Sequence, residues 1–270
     1  MMGPRRHIVG LAAGALACAL VPSVTVAEHS CTAPAEISRL TQPLTRTALR
    51  LSRHEPLTIV AVGSSSTFGA GASSPAASYP SRLAIELKAL FPKETITVIN
   101  RGVNGEEVTD MLRRFADGVL REKPDLVLWQ VGTNSVLRDK PLGPHSPLLL
   151  EGIRQLKKIG ADVVLIDPQY VPRVIAKADA EGMVRLIAAT AKAADVDLIQ
   201  RFAMMRWWRD HEHMDFAEFA SPDNLHMNDW GYACLAKQIS ASISEAATRS
   251  AATASASPSV SATLARGGTH

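Results

Sequence analysis

The sequence has few cysteines, no excess of one charge and no long apolar run. Three cysteines in 270 residues exclude the small disulfide-rich scaffolds. The 29 Lys and Arg residues are nearly balanced by 26 Asp and Glu residues, so no electrostatic footprint for nucleic acid is present. A composition of 46% hydrophobic and 20% charged residues is typical of a globular protein with a sizeable core.

The first 27 residues have the pattern of an export signal. Arg5 and Arg6 precede an apolar stretch at residues 8–21, and small residues follow at 25–27, as a signal peptidase requires. The stretch has about 14 residues, and a membrane-spanning helix needs ~20, so a cleaved signal is favoured over a retained anchor. We expect a periplasmic or secreted protein without stable membrane insertion, whose nearly neutral mature chain takes a small neutral or weakly charged substrate.

Two cysteines remain after this cleavage, Cys31 near the new N-terminus and Cys234 near the C-terminus. An oxidising compartment would let them pair and tie the two ends together. The alternative is a buried Cys234 on a helix and a free Cys31 in a loose arm. The sequence leaves both open, because spacing along the chain says nothing about distance in space.

Short apolar runs alternate with amphipathic segments along the central part of the chain. The runs predict strands at residues 57–62, 96–99, 126–131, 163–166 and 196–199. The amphipathic segments predict helices at residues 81–91, 108–120, 148–159, 176–193 and 231–246. Since the runs show little polar alternation, they favour strands buried on both faces. We predict an α/β fold, a three-layer α/β/α doubly wound (flavodoxin-like) sandwich with a five-stranded parallel sheet.

The flanking segments complete a division of the chain into four parts. Residues 1–27 are the signal peptide, and residues 28–52 predict an N-terminal arm with a covering helix that Pro43 would shorten. Residues 53–248 form the main domain. Residues 249–270 are rich in alanine and serine and predict a disordered tail.

Ligands of doubly wound sheets bind at the carboxyl ends of the strands, so the residues that follow each strand are candidates. Ser64, Ser65 and Ser66 follow the first strand in the stretch GSSSTFG. A serine nucleophile is one interpretation of this stretch. A phosphate-binding turn is the other, but no lysine completes a P-loop and the dinucleotide motif lacks its third glycine.

A base for such a nucleophile is present near the C-terminus. His226 follows Asp223 by three residues in SPDNLHMNDWGY, a spacing that lets the carboxylate accept one ring N–H while the other nitrogen takes a proton. A surface cap with a solvated histidine is the alternative. Gly105 and Asn134 follow the second and third strands, where a backbone N–H and an amide could stabilise negative charge on an ester oxygen.

Taken together, these residues resemble the four motifs of the SGNH, or GDSL-like, hydrolase superfamily over residues 57–246. The resemblance implies Ser65 as the nucleophile of a catalytic triad with Asp223 and His226. It implies an oxyanion hole made of the Ser65 N–H, the Gly105 N–H and the Asn134 side chain. No metal or organic cofactor is implied.

The function implied is cleavage of carboxylic (acyl or acetyl) esters through an acyl-enzyme, on a small-molecule or glycan ester. A carbohydrate O-acetyl esterase or acetyltransferase is one alternative, and a non-catalytic glycan- or lipid-binding protein on the same fold is another. Ser64 and Ser135 stand where the family usually has aspartates, so we expect the hydrogen bonds of those aspartates to be made differently. With three adjacent serines, Ser64 or Ser66 stays an alternative nucleophile.

Other polar or aromatic clusters have simpler interpretations. His211 and His213 could suggest a metal, but without a third spaced ligand a solvated loop is favoured. Trp207 and Trp208 are interpreted as packing residues, with a sugar or acyl site as the alternative. His145, which lies among prolines, is interpreted as a surface residue.

Overall fold

The structure, a computed structural model, describes residues 31–256. The predicted signal peptide and the end of the predicted tail, residues 257–270, lie outside the described residues. In the described chain no helix has both the length and the apolar character needed to cross a bilayer.

Five parallel strands form one sheet in the order β2-β1-β3-β4-β5. They are β1 (Leu57–Gly63), β2 (Ile96–Gly102), β3 (Leu126–Gln130), β4 (Asp162–Ile166) and β5 (Asp197–Ile199). This order is that of a doubly wound flavodoxin-like sheet, in which the strand order reverses between β1 and β3. The predicted fold class is confirmed. The strands were expected to be buried on both faces, and this expectation is wrong for β2. Its residues are partly exposed, and it lies at the edge of the sheet.

Helices cover both faces of the sheet. They are α1 (Ala35–Ser38), α2 (Thr45–Ser52), α3 (Ser65–Phe68), α4 (Tyr79–Leu90), α5 (Val108–Arg113), α6 (Phe115–Gly118), α7 (Thr133–Leu137), α8 (His145–Lys158), α9 (Pro172–Ile175), α10 (Ala180–Ala193), α11 (Arg201–Asp210), α12 (Phe216–Phe219) and α13 (Asp229–Ala256). Helices α2, α4 and α13 pack together, and α8 packs with α5 and α10 in a second layer.

Several helices differ from the predicted boundaries. The helix predicted at residues 108–120 is two short helices, because the backbone leaves the helical conformation at Arg114. The covering helix is likewise two helices, α1 and α2, on either side of Pro43. Helix α13 continues ten residues past its predicted end, so the first residues of the predicted tail are helical. Alanine, the strongest helix former, is frequent there.

Aspartates at the amino ends of the strands hold the N-terminal arm against the sheet. Asp162, the first residue of β4, accepts the N–H groups of Arg46 and Thr47 at 3.2 and 2.8 Å. A carboxylate at this place favours the start of α2, where backbone N–H groups have no partner within the helix. Asp125, just before β3, accepts the Nε–H of Arg50 at 2.8 Å. The arm thus closes the amino edge of the sheet, and the candidate loops lie at the opposite edge.

Cys31 and Cys234 form a disulfide bond, with their Cα atoms 5.3 Å apart. Of the two alternatives left by the sequence, the structure has the paired one. The bond ties the start of the described chain to α13, which lies across the same layer as α2 and α4. It therefore fastens the arm and the last helix to each other.

Replacing both cysteines, Cys31→Ser with Cys234→Ser, should lower the free energy of unfolding by about 2–5 kcal/mol. The bond spans 203 positions of sequence, and a closed loop of that size strongly restricts the unfolded chain. Chemical denaturation with and without a thiol reductant measures the effect. Reductant should destabilise the wild type by a similar amount and leave the double variant unchanged. If the unfolding midpoint of the wild type were the same with and without reductant, the result would contradict the bond.

Candidate active site

Ser65 lies at the switch point of the sheet, in the turn between β1 and the short helix α3. It is the first residue of that helix, so its backbone N–H has no partner within the helix. Its side chain points toward the loop that precedes α13. The Ser65 Oγ and the His226 Nε2 are 2.9 Å apart, although the two residues are 161 positions apart in sequence.

The chain of hydrogen bonds continues from His226 to Asp223. The His226 Nδ1 lies 2.5 Å from the Asp223 Oδ2. Since an ionised carboxylate can only accept, Nδ1 carries the hydrogen of the neutral ring and Nε2 is free to accept the Ser65 hydroxyl proton. The backbone N–H of His226 also donates to Asp223, to Oδ1 at 2.9 Å, which fixes the ring and the carboxylate to one turn of the chain.

Asp223 is held in its ionised form by its hydrogen bonds. Partial burial by itself would raise its pKa, but the Ser221 hydroxyl, His226 and the Leu225 N–H all donate to the carboxylate and hold the pKa well below its usual range. The donors lie close, with Ser221 Oγ at 2.6 Å and Leu225 N at 2.9 Å. Asp223 can therefore stabilise a positive charge on His226 at any pH near neutral.

The other two serines of the stretch face different surroundings. Ser64 is buried, and its Oγ donates to the Gln130 Oε1 at 3.0 Å. Ser66 is also buried, and its Oγ has no hydrogen-bond partner in the described chain. Only Ser65 is placed against His226. The geometry therefore favours Ser65 over both alternatives.

Gln130 makes hydrogen bonds with Ser64, the first of the two positions at which the family usually has an aspartate. Its Oε1 accepts the backbone N–H of Ser64 at 2.9 Å in addition to the Ser64 hydroxyl, and Thr67 Oγ1 approaches it to 3.4 Å. Gln130 is the last residue of β3 and is only 1% exposed. A buried amide on the neighbouring strand thus fixes the turn that carries Ser65.

Gly105, in the loop after β2, and Asn134, in α7 after β3, lie close to each other. The Asn134 Nδ2 donates to the carbonyl oxygen of Glu106, the residue after Gly105, at 2.8 Å. An amide NH₂ group has two hydrogens, so one remains for a ligand oxygen. Gly105 has a φ of +77°, a conformation that glycine adopts without strain, and the described backbone hydrogen bonds give no acceptor to its N–H.

A salt bridge fixes this second loop from outside. The Arg138 Nη2 donates to the Gly105 carbonyl oxygen at 2.9 Å, while its Nη1 contacts the Glu107 carboxylate at 2.6 Å. Ser135, where the family often has aspartate, donates to the other oxygen of Glu107 at 3.1 Å. The second missing aspartate is thus also compensated, here by a glutamate from the neighbouring loop.

Of the remaining interpretations, packing holds for Trp208, the two histidines His211 and His213 are solvated as expected, and the interpretation of His145 is wrong. Trp208 is fully buried and packs edge-on against Trp230 at 5.2 Å, so it is a packing residue. His211 and His213 are exposed, and His211 stacks on Trp207 at 3.9 Å. His145 was expected on the surface but is buried.

The burial of His145 follows from the start of α8. It is the first residue of that helix, and its Nδ1 lies 3.1 Å from the Leu142 carbonyl oxygen. The same carbonyl oxygen accepts the backbone N–H of His145 at 3.0 Å, so this residue is held against the loop that precedes α8.

Sequence reasoning missed the buried polar residues beneath the site, chiefly Gln130, Gln169 and Arg201. One sequence feature could have indicated Gln130, because it is a polar residue at the end of an otherwise apolar strand. Gln169 lies in the loop after β4, a region singled out by its position only. Tyr170 of that loop and Ile175 of α9 line a cleft of about 660 Å³ whose wall includes none of the predicted triad residues.

The family model for Non-GDSL lipase-like proteins matches residues 30–249 of the chain. In sequence, the chain is similar to an acetylxylan esterase of Geobacillus stearothermophilus. The identity is 30% over 95 residues, which are 32% of this chain and 43% of that enzyme. The match therefore spans less than half the length of this relative.

Solved esterase structures share the fold. A two-domain esterase (CEX) active on acetylated mannans has a TM-score of 0.65 and 21% identity, over 78% of this chain and 56% of that chain. Axe2, an acetylxylan esterase from Geobacillus stearothermophilus, has a TM-score of 0.59 and 20% identity, over 69% of this chain and 94% of that chain. At such identities the likeness concerns the fold.

Gly71→Ala should disturb the contact between His226 and Ser65. An added Cβ would lie 2.7 Å from the His226 Cβ and 2.6 Å from the Met227 carbonyl oxygen, and the φ of Gly71 is +87°. Gly160→Ala is a matched control, since its φ is +76° but nothing lies within 4 Å. Both variants should lose about 1 kcal/mol of stability from backbone strain.

The two glycine variants should differ in the reactivity of Ser65. The rate of covalent labelling by a fluorophosphonate should fall in Gly71→Ala and stay at the wild-type value in Gly160→Ala. Equal labelling rates in the two variants would contradict the tight packing of residue 71 against His226.

Proposed function

We propose, starting from the fact that the chain belongs to the Non-GDSL lipase-like family, that it is a serine hydrolase that removes acetyl groups from carbohydrate esters. The observation that carries this proposal is the continuous hydrogen-bond chain from Ser65 through His226 to Asp223. A nucleophile, a base and an orienting carboxylate in this order are what acyl transfer to a serine requires.

In the proposed reaction the Ser65 Oγ attacks the ester carbonyl carbon while His226 Nε2 takes the hydroxyl proton. Asp223 stabilises the imidazolium that results. The negative charge on the former carbonyl oxygen is bound by the Ser65 N–H, the Gly105 N–H and the free hydrogen of the Asn134 amide. The bond between the acyl carbon and the alcohol oxygen then breaks, and His226 gives its proton to that leaving oxygen, which leaves the acyl group on Ser65.

Water completes the cycle by a second round of the same chemistry. His226 takes a proton from the water, the resulting hydroxide attacks the acyl carbon, and Ser65 leaves with the proton returned from His226. The products are a carboxylic acid and an alcohol. All of the groups used are side chains and N–H groups of this chain.

Acetylated glycans are the substrate class that the relatives favour. The sequence relative is an acetylxylan esterase, and a structural neighbour is active on acetylated mannans. Two further solved structures of Axe2 are catalytic mutants in which a serine or a histidine is replaced by alanine. An ester chain-length series compared with acetylated xylan and mannan oligosaccharides tests this class, with acetyl esters expected to react fastest.

The competing candidates are separable by simple measurements. An acetyltransferase would use the same acyl-enzyme with a sugar hydroxyl in place of water, so product analysis with an added acceptor distinguishes it. A non-catalytic glycan- or lipid-binding protein would stay unlabelled by a fluorophosphonate although it is folded.

Export to an oxidising compartment is part of the proposal. The Cys31–Cys234 disulfide supports it, because such bonds persist outside the reducing cytosol. The proposed signal peptide, residues 1–27, would direct this export.

Ser65→Ala should abolish hydrolysis of p-nitrophenyl acetate while leaving the melting temperature unchanged, because only the attacking oxygen is removed. Ser66→Ala is the matched control, and since Ser66 Oγ makes no hydrogen bond in the described chain, the variant should keep wild-type turnover. Full activity of Ser65→Ala would refute the assignment of the nucleophile.

Asn134→Ala should lower kcat by on the order of 10² to 10³, as loss of one oxyanion donor does elsewhere. Ser135→Ala is the control in the same helix; it removes the hydrogen bond to Glu107 but no proposed donor, and it should retain most of the turnover. Steady-state kinetics on p-nitrophenyl acetate compares the two. Equal losses of kcat in both variants would indicate that the position of α7, and not the Asn134 amide, determines the rate.

A further inference from the structure

Gln169 is a buried glutamine in the loop that follows β4. It contacts two parts of the site, the loop that carries His226 and the helix α7 that carries Asn134. It is 1% exposed. Its Nε2 donates to the carbonyl oxygen of Leu225 at 2.9 Å. Its Oε1 accepts the Thr133 hydroxyl at 2.9 Å and the Arg201 Nη2 at 2.8 Å.

The partners of Gln169 leave no freedom in how its amide is turned. The Arg201 guanidinium is a donor only, so it must face the amide oxygen, and the Leu225 carbonyl is an acceptor only, so it must face the amide nitrogen. Arg201 is itself fully buried, and its Nε donates to the Asp167 carbonyl oxygen at 2.9 Å. Asp167 lies in the same loop; its buried carboxyl accepts the Phe202 N–H at 2.9 Å, and burial raises its pKa to about 7.

Each end of Gln169 reaches the residue next to a proposed catalytic residue. Leu225 precedes His226, and its N–H donates to Asp223 at 2.9 Å. Thr133 precedes Asn134 and is the first residue of α7. Among the hydrogen bonds of residues 31–256, none joins α7 directly to the loop that holds Asp223 and His226.

We propose that Gln169 is a positioning residue that sets the distance between the loop carrying His226 and the helix carrying Asn134. This inference rests on the proposed function, because it concerns the alignment of the proton-transfer group with the oxyanion donor. A buried amide with all its partners in place rigidifies its surroundings. Loss of its hydrogen bonds should let the two halves shift relative to each other, and misplacement by about 1 Å lowers turnover by up to 10²-fold.

Gln169→Met tests the proposal, because methionine has a similar length and cannot make these hydrogen bonds. Thr190→Val is the matched control. Thr190 is buried in α10; its hydroxyl donates to the Leu186 carbonyl oxygen at 2.8 Å and lies 2.9 Å from the Ser146 hydroxyl, so this variant also removes buried hydrogen bonds, but away from the site. Both should lower the melting temperature. With p-nitrophenyl acetate, only Gln169→Met should lower kcat, by about 10- to 100-fold, with KM unchanged.

A double variant separates positioning from a loss of folded protein. The combination of Gln169→Met with Asn134→Ala should lose less activity than the product of the two single losses, because both act on the same alignment. Fluorophosphonate titration counts the active sites in each sample, so kcat is expressed per titrated site. If Gln169→Met does not fold, Thr133→Val, which removes only the link to α7, should give a smaller loss of the same kind.

Three results would overturn the proposal. The first is a wild-type kcat per titrated site in Gln169→Met, or in Thr133→Val where the former does not fold. The second is a loss in Thr190→Val equal to that in Gln169→Met. The third is a wild type that neither hydrolyses the ester nor reacts with the fluorophosphonate, which would overturn the proposed function as well and is distinguishable from the other two for that reason.

Discussion

The hydrogen bond between Ser65 Oγ and His226 Nε2 is the interaction on which the account of this site depends. It joins residues that are 161 positions apart in the sequence at a distance of 2.9 Å. Such a contact exists only because parallel strands place all of their carboxyl ends at one edge of the sheet, and because the strand order reverses between β1 and β3. The turn after β1 and the loop before α13 meet in the crevice that this reversal creates.

The strands begin at one edge of the sheet, the amino edge, and end at the other, the carboxyl edge, and the two have different roles. At the amino edge, Asp125 and Asp162 bind the N-terminal arm through backbone and guanidinium N–H groups, and the disulfide fastens that arm to α13. At the carboxyl edge, the two positions where the family has aspartates are compensated differently, Ser64 by the amide of Gln130 and Ser135 by the carboxylate of Glu107. Gln130 fixes the turn of Ser65, and Gln169 joins the two halves of the site. Neutral amides can hold loops in place without adding negative charge beside a developing oxyanion.

Much of the fold was accessible from the sequence, since alternating apolar runs and amphipathic segments carry a strong periodic signal. The proposed triad was accessible for a different reason. Ser65, Asp223 and His226 each lie in a short motif at a strand end or a helix start, and their chemistry restricts what such motifs can do. Gln130 and Gln169, which hold these loops in place, left no comparable signal. A single buried glutamine belongs to no motif of fixed spacing and to no periodic pattern.

Other features depended on distances that no sequence pattern contains. The pairing of Cys31 with Cys234 required the start of the chain and α13 to come together. The burial of His145 depended on contacts between the start of α8 and the loop before it, such as the one to the Leu142 carbonyl oxygen. The edge position of β2 is a property of strand order, which periodicity does not encode. In each case tertiary contacts decided the outcome, and for His145 and β2 they overrode the expectation from local sequence.

The most direct test of the central claim is a crystal structure of the protein after reaction with diethyl p-nitrophenyl phosphate. The account predicts phosphorus bonded to the Ser65 Oγ, with a phosphoryl oxygen about 2.7–3.1 Å from the Ser65 N–H, the Gly105 N–H and the Asn134 amide. Phosphorus bonded to another residue, or a phosphoryl oxygen turned away from these three donors, would contradict it.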